Sequence, residues 1–216
     1  MSFLRRWRAS SENRFAAKHR LLNVGGNDKR IPIPDYYSGW DHVLLDIDAR
    51  VRPDIVCDAR ELSSLPAAEY DAVYCSHNLE HYYRHDCRRV LQGFLHVLKA
   101  DGFVEIHVPD LNGVMRRLVE SDLDIEDELY QSSAGPITAR DVFYGHSKEL
   151  EESGQDYFAH KTGFTARSLY RLLREVGFAE LFVSVAVESF ELRAYAFRRV
   201  ATAQQRELLN LMGAPS

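Results

Sequence analysis

The chain has 216 residues, 45% of them hydrophobic, enough for one sizeable core and too few for two comfortable ones. With 27 Lys and Arg against 32 Asp and Glu, the formal charge is -5, so no overall field gathers nucleic acid, whose binding rests on neutralised phosphates. No stretch reaches the roughly 18 apolar residues of a membrane span, and three widely spaced cysteines, Cys57, Cys75 and Cys87, suit free thiols in a reducing, cytoplasmic setting.

Residues 1–19 are basic, with Arg5, Arg6, Arg8, Arg14 and Lys18 against Glu12. They are expected to form a helical segment packed on the domain, and Phe3, Leu4 and Trp7 also suit peripheral contact with an anionic membrane. "HRLLNVGGND" then gives a short apolar run that stops at Gly25-Gly26, as a buried strand entering a tight loop does. "WDHVLLDID" (40–48), "PDIVCDA" (53–59) and "YDAVYCS" (70–76) predict three further strands.

Val90, Leu91, Phe94, Leu95, Val97 and Leu98 recur at helical spacing, with Asp86 expected as N-cap and Gly102 as the stop. "FVEIHVPDL" (103–111) is a fifth strand ended by Pro109. Residues 112–160 are polar and punctuated, with a helix near "NGVMRRLVE", and read as an insertion or lid. The acidic run 120–128 lacks the turn glycine and ligand spacing of a calcium loop, so no metal is expected there. Thr165 caps a last helix closed by Gly177, and "ELFVSVAVE" and "LRAYAFRRV" form an antiparallel hairpin. Strands alternating with helices imply a single α/β domain with a mostly parallel sheet covered on both faces.

In such a sheet ligands bind beyond the carboxyl ends of the strands. Gly25 and Gly26 allow close approach of backbone to a ligand, and Asn27 tolerates positive φ. Asp46, with Asp48 as competitor, falls about 20 residues later, where a carboxylate accepts hydrogen bonds from ribose hydroxyls. Asp58 ends the third strand within reach of an adenine amino group. The full G-x-G-x-x-G of a pyrophosphate site is missing, and Asp28 stands where a phosphate would be repelled. A ligand with ribose and adenine and no phosphate, S-adenosylmethionine, fits better.

"LNVGGN" (22–27), "SHNLEH" (76–81), "VLKADG" (97–102), "VPDL" (108–111) and "HKTGF" (160–164) follow one another in an order that resembles the class I S-adenosylmethionine-dependent methyltransferases. The likeness is greatest to small predicted members carrying L-N-x-G-x-G, S-H-x-L-E-H, V-P-D-L and H-K-x-G-F. It implies a Rossmann-like, seven-stranded sheet of order 3-2-1-4-5-7-6 with the last strand antiparallel. It also implies a cofactor site of Asn23, Gly25, Gly26, Asn27, Asp46, Ile47, Asp58, Ala59, Ser76 and His77. Asn27 replaces the family's second glycine, and Lys99-Ala100-Asp101-Gly102 lacks its doubled glycine.

Residues 77–81, H-N-L-E-H, also spell the H-x-x-E-H string of certain zinc peptidases. A strand ends immediately before His77, so two ligands on one regular helical face are not expected, and neither is a metal. Methyl transfer is an in-line displacement that needs a base only where the acceptor loses a proton. His77, at the fourth strand's end, is the first candidate base through its ordinary pKa near ~6.5, and His160 of "HKTGF" is its rival. His81, Tyr144, His146 and Lys161 are the expected acceptor contacts, for a small molecule or a sugar-derived group. The competing functions are a non-catalytic module of the same fold, for which Asn27 weakens the loop, and a zinc hydrolase.

Overall fold

A computed structural model describes residues 18–132 and 135–211, so all but the last two residues of the expected 1–19 segment lie outside the described residues. The chain runs β1 (Arg20–Val24), β2 (Asp41–Asp46), β3 (Ile55–Val56), β4 (Tyr70–Ser76), α1 (Arg84–Val97) and β5 (Leu98–Pro109). Next come α2 (Leu111–Ser121), a small hairpin of β6 (Glu128–Ser132) and β7 (Gly135–Thr138), then α3 (Ala139–Tyr144) and α4 (Ser147–Ser153). These lead to α5 (Ala166–Val176), β8 (Glu180–Ala186), β9 (Glu191–Phe197) and α6 (Ala203–Leu208).

Seven strands form one sheet of order β3-β2-β1-β4-β5-β9-β8. With the separate β6-β7 hairpin left uncounted, this is the order expected from the sequence. Strands β1 to β5 are parallel, and β9 runs antiparallel to both β5 and β8. The crossovers after β1, β2 and β3 carry only 3-10 turns, at Asp35–Tyr37, Ala49–Val51 and Ala59–Ser64.

Because the strands are apolar on both sides, each face of the sheet is covered. On one, Leu22, Val73, Cys75, Val104 and Ile106 meet Val90, Leu91 and Phe94 of α1 and Leu169 and Leu173 of α5. Complete burial of a side chain such as Phe94 contributes roughly 1.5–3 kcal/mol, so this face is what anchors α1. On the other face, Leu21, Ala72, Tyr74, Phe103 and Phe197 pack with Tyr37 and with Ala201, Leu209 and Leu211 near the C-terminus.

Two local expectations need correction. Helix α1 starts at Arg84 with Tyr83 as N-cap, because the Tyr83 carbonyl accepts from Asp86 N (2.8 Å) and Cys87 N (3.0 Å). The Asp86 carboxylate turns instead toward Arg60, 3.5 Å away. The helix also ends at Val97 and not at Gly102: Leu98 already pairs with Tyr70, and residues 99–102 bulge out before Phe103 rejoins the ladder opposite Ala72. Thr165, by contrast, caps α5 reciprocally with Ser168, and Gly177 closes the helix at φ 113°.

Candidate active site

The carboxyl ends of β1, β2 and β3 and the loop after β4 open into one crevice of about 280 Å³. That is near the small end of the ~300–1,000 Å³ common for ligand pockets. Gly25, Asn27, Asp46, Ile47 and Asp58 line it, joined by Asp48, Val51, Arg60, His77, Asn78, His81 and Lys161. Tyr157 and Phe158, between α4 and α5, form a further wall.

Each strand end is shaped by its acid. Asp46 Oδ2 accepts from Asn27 N (3.1 Å) and Oδ1 from Asp48 N (2.9 Å), so one carboxylate fixes both the glycine loop and the turn after β2. Asp48 and Asp58 each accept from the amide two residues on, that of Arg50 and Arg60, and each pairs with that arginine's guanidinium. This is the local turn chemistry that short acidic side chains favour. Tyr157 donates its hydroxyl to Asp48 at 3.0 Å, tying the segment between α4 and α5 to the β2 tip. Hydrogen bonds from Arg50 hold the Asp48 carboxyl far below the ordinary carboxylate range.

Gly25 has φ 70°, and a Cβ there would stand 2.1 Å from Asn78 Nδ2 and 3.0 Å from Asn78 Cβ. Asn27 takes φ 58°, the left-handed conformation expected of it. Asn23 does not face the crevice: it is buried beneath the loop, with Nδ2 3.2 Å from His42 Nε2, and its side chain fills the space under Gly26. Ala59 is buried behind the wall, and Ser76, His160, Tyr144 and His146 also stand outside the crevice lining. Tyr144 is largely exposed and His146 is the N-cap of α4. Asp28 pairs with Arg30 on the surface and does not line the crevice.

His77 differs most from its expected role. At φ 48° it ends β4 in a conformation unusual for a non-glycine residue, with its amide donating to His107 O (2.9 Å). Its Nε2 lies 3.0 Å from Glu191 Oε2 on β9 and its Nδ1 3.5 Å from Glu80 Oε1. Burial opposes the cation, but the hydrogen bond to Glu191 and the adjacent charge of Glu80 outweigh it and raise the pKa to about 10. A histidine that keeps its proton at neutral pH is a fixed cation and a poor base. The stability this pairing adds is fully present below the unfolded value near ~6.5 and is lost as pH rises through about 10. Glu191→Gln should move the His77 titration down by at least about one pH unit, read from its ring proton resonances; an unmoved titration would separate the two groups.

Behind His77 the network continues. Glu191 accepts from Arg193 Nε (2.6 Å) and lies 3.6 Å from His107, whose Nε2 is 2.9 Å from Glu105. Glu105 is fully buried and accepts from the hydroxyls of Tyr36 (2.6 Å) and Tyr37 (2.8 Å). These groups were missed from the sequence, although "FVEIHV" places Glu105 and His107 two apart on one face of an otherwise apolar strand, which is the pattern of a buried polar pair.

The motif segments are bonded to one another. Lys161 N and Thr162 N donate to Glu80 O (2.8 and 3.2 Å), His81 Nδ1 lies 3.2 Å from Ala159 O, and Leu111 N donates to Phe164 O. "SHNLEH", "VPDL" and "HKTGF" therefore meet at one end of the sheet. His77 and His81 do not share a regular helix, since Leu79–His81 is a single 3-10 turn, so the peptidase arrangement is not formed.

Residues 3–181 match the family described as "Methyltransferase domain". The chain belongs to that family. No curated protein matches it. Among solved structures, this methyltransferase is similar to a SAM dependent methyltransferase from Archaeoglobus fulgidus, at 15% identity over 84% of this chain and 86% of that one, with a TM-score of 0.50. It is also similar to the CurJ carbon methyltransferase, at 13% identity, 87% and 50% coverage and a TM-score of 0.52. For the plantazolicin methyltransferase BamL, solved with a triazolic desmethylPZN analog and SAH, the values are 11%, 83% and 76%, and 0.51. At these identities the likeness is one of fold. Among the described residues no helix is long and apolar enough to cross a membrane.

Proposed function

We propose that this methyltransferase moves the methyl group of S-adenosylmethionine to an oxygen of a small-molecule or sugar-derived acceptor. The observation that carries the reading is the crevice itself, where a glycine that admits no side chain stands beside a carboxylate at the tip of β2. Each Asp46 oxygen accepts one amide and keeps a lone pair for a ribose hydroxyl. Ile47, nearly half exposed, and Val51 offer apolar surface for the base. Four carboxylates, of Asp46, Asp48, Asp58 and Asp86, face Arg60, Lys161 and the charged His77, a balance that suits a cationic sulfonium better than a phosphate.

The sulfonium supplies an activated methyl group, and the chain's own task is alignment and exclusion of water. His77 is assigned to the acceptor side as a fixed cation, held by Glu191 and Glu80, that meets negative charge on the acceptor oxygen. His160 is not the base in this reading, because it stands outside the crevice lining. His81 and Lys161 remain the acceptor contacts, whereas Tyr144 and His146 are left out of the site. Residues 112–160 act as the lid in this reading, with Tyr157 and Phe158 as its inner surface. Calorimetry with S-adenosylhomocysteine tests the reading: binding of one equivalent is expected, and absence of binding would contradict it.

A further inference from the structure

We propose that Glu80, His81 and His160 form a binding site for a divalent first-row transition ion on the acceptor side of the crevice. One ligand atom from each of the three lies within 4.8 Å of the others. Glu80 is 1% exposed, and neither of its carboxylate oxygens has a hydrogen-bond partner. Its nearest cation is His77, at an ion-pair distance of 3.5 Å and itself held more closely by Glu191. A buried carboxylate is costly unless cations answer it, and the one beside Glu80, His77, is shared with Glu191.

The hydrogen bonds of the two imidazoles leave one nitrogen of each for a metal. A backbone carbonyl only accepts, so His81 Nδ1 beside Ala159 O (3.2 Å) and His160 Nδ1 beside Val142 O (2.8 Å) must carry the protons. In the neutral rings Nε2 is then the lone-pair donor, and pinning of the other nitrogen by a carbonyl is the usual outer support of a metal-bound histidine. The rings lie 4.8 Å apart between centroids at 74°. Ligand atoms about 2.0–2.2 Å from one ion are roughly 3–3.5 Å apart, so closure takes side-chain shifts of about 1 Å. Two imidazoles and one carboxylate suit Zn²⁺, Co²⁺, Mn²⁺ or Fe²⁺ and leave positions open.

Backbone bonds bring the grouping together: Lys161 N and Thr162 N donate to the Glu80 carbonyl, holding "HKTGF" against "SHNLEH". His81 also lines the crevice, so an open position on the ion would face it. That last point rests on the methyl-transfer reading. An acceptor hydroxyl bound there would give its proton to water more readily, and its oxygen would form the new C–O bond as the S–C bond breaks.

The test uses the full chain, stripped with chelator and titrated with Co²⁺ while the visible d–d bands are recorded, with Zn²⁺ as competitor. One equivalent is expected, displaced by Zn²⁺, and Glu80→Gln, His81→Ala and His160→Ala should each weaken it by at least about tenfold. His96→Ala, a histidine remote from the grouping, should not change it. Circular dichroism identifies any variant that fails to fold, in which case the remaining two decide. No Co²⁺ bands in the wild type, or unchanged affinity in folded His81→Ala and His160→Ala, would overturn the site. S-adenosylhomocysteine binding is measured on the same stripped samples: its loss with Co²⁺ binding retained would overturn the methyl-transfer reading alone, and the reverse would overturn the ion site alone.

Discussion

Asp46→Ala is expected to weaken S-adenosylhomocysteine binding by about 100-fold. The side chain is buried and already serves two amides, Asn27 N and Asp48 N, so its loss frees the glycine loop and the turn after β2 together. In the proposed reading it also removes the acceptors for the ribose. Hydrogen bonds to a charged group contribute about 1.5–3 kcal/mol each, and a loss of about 3 kcal/mol is roughly 100-fold in affinity. Asp46→Asn, which keeps the shape and one acceptor, should fall between the wild type and the alanine variant. Calorimetry reads both, and an alanine variant that binds like the wild type would remove Asp46 from the site.

Gly25→Val should weaken binding by a similar factor for a different reason. The residue sits at φ 70°, where a β-branched side chain is strained, and any Cβ falls 2.1 Å from Asn78 Nδ2. Rotation of Asn78 does not relieve this, because its own Cβ is only 3.0 Å away. The loop must move, at about 3 kcal/mol, which again is about 100-fold in affinity if it is spent on the crevice. Because the β1 core below the loop stays intact, far-UV circular dichroism should remain close to wild type. A folded valine variant with undiminished binding would show that the ligand does not lie over Gly25.

Much of this arrangement was legible from the sequence, and the reasons are physical. Strand β4 was read with its observed bounds because "YDAVYCS" is buried on both faces and stops at a polar turn. The ends of α5 were legible because Thr165 and Gly177 are chemical signals acting within a few residues. Asp86 gave the same signal at α1 and failed, since a distant arginine, Arg60, competes for its carboxylate. The tips of β1 and β2 were predictable as a crevice from Gly25 and Asp46, whereas Asn23, also expected there, turned inward to His42.

The charge state of His77 was not legible. Its partner Glu191 is 114 residues away, on a strand that reaches β4 only through the antiparallel end of the sheet. An unperturbed imidazole suggests a base, and the fold places a carboxylate on either side of it. The H-x-x-E-H string was similarly ambiguous. Its first histidine turns to Glu191, and its glutamate and second histidine meet His160 from across the chain, a grouping that local spacing does not encode.

The most direct measurement is a crystal structure of the full chain with S-adenosylhomocysteine. Adenosine density across the tips of β1, β2 and β3, with both ribose hydroxyls within hydrogen-bond distance of Asp46, is the expected result. Density seated elsewhere, or side chains filling the space beside Gly25 at saturating ligand, would contradict it.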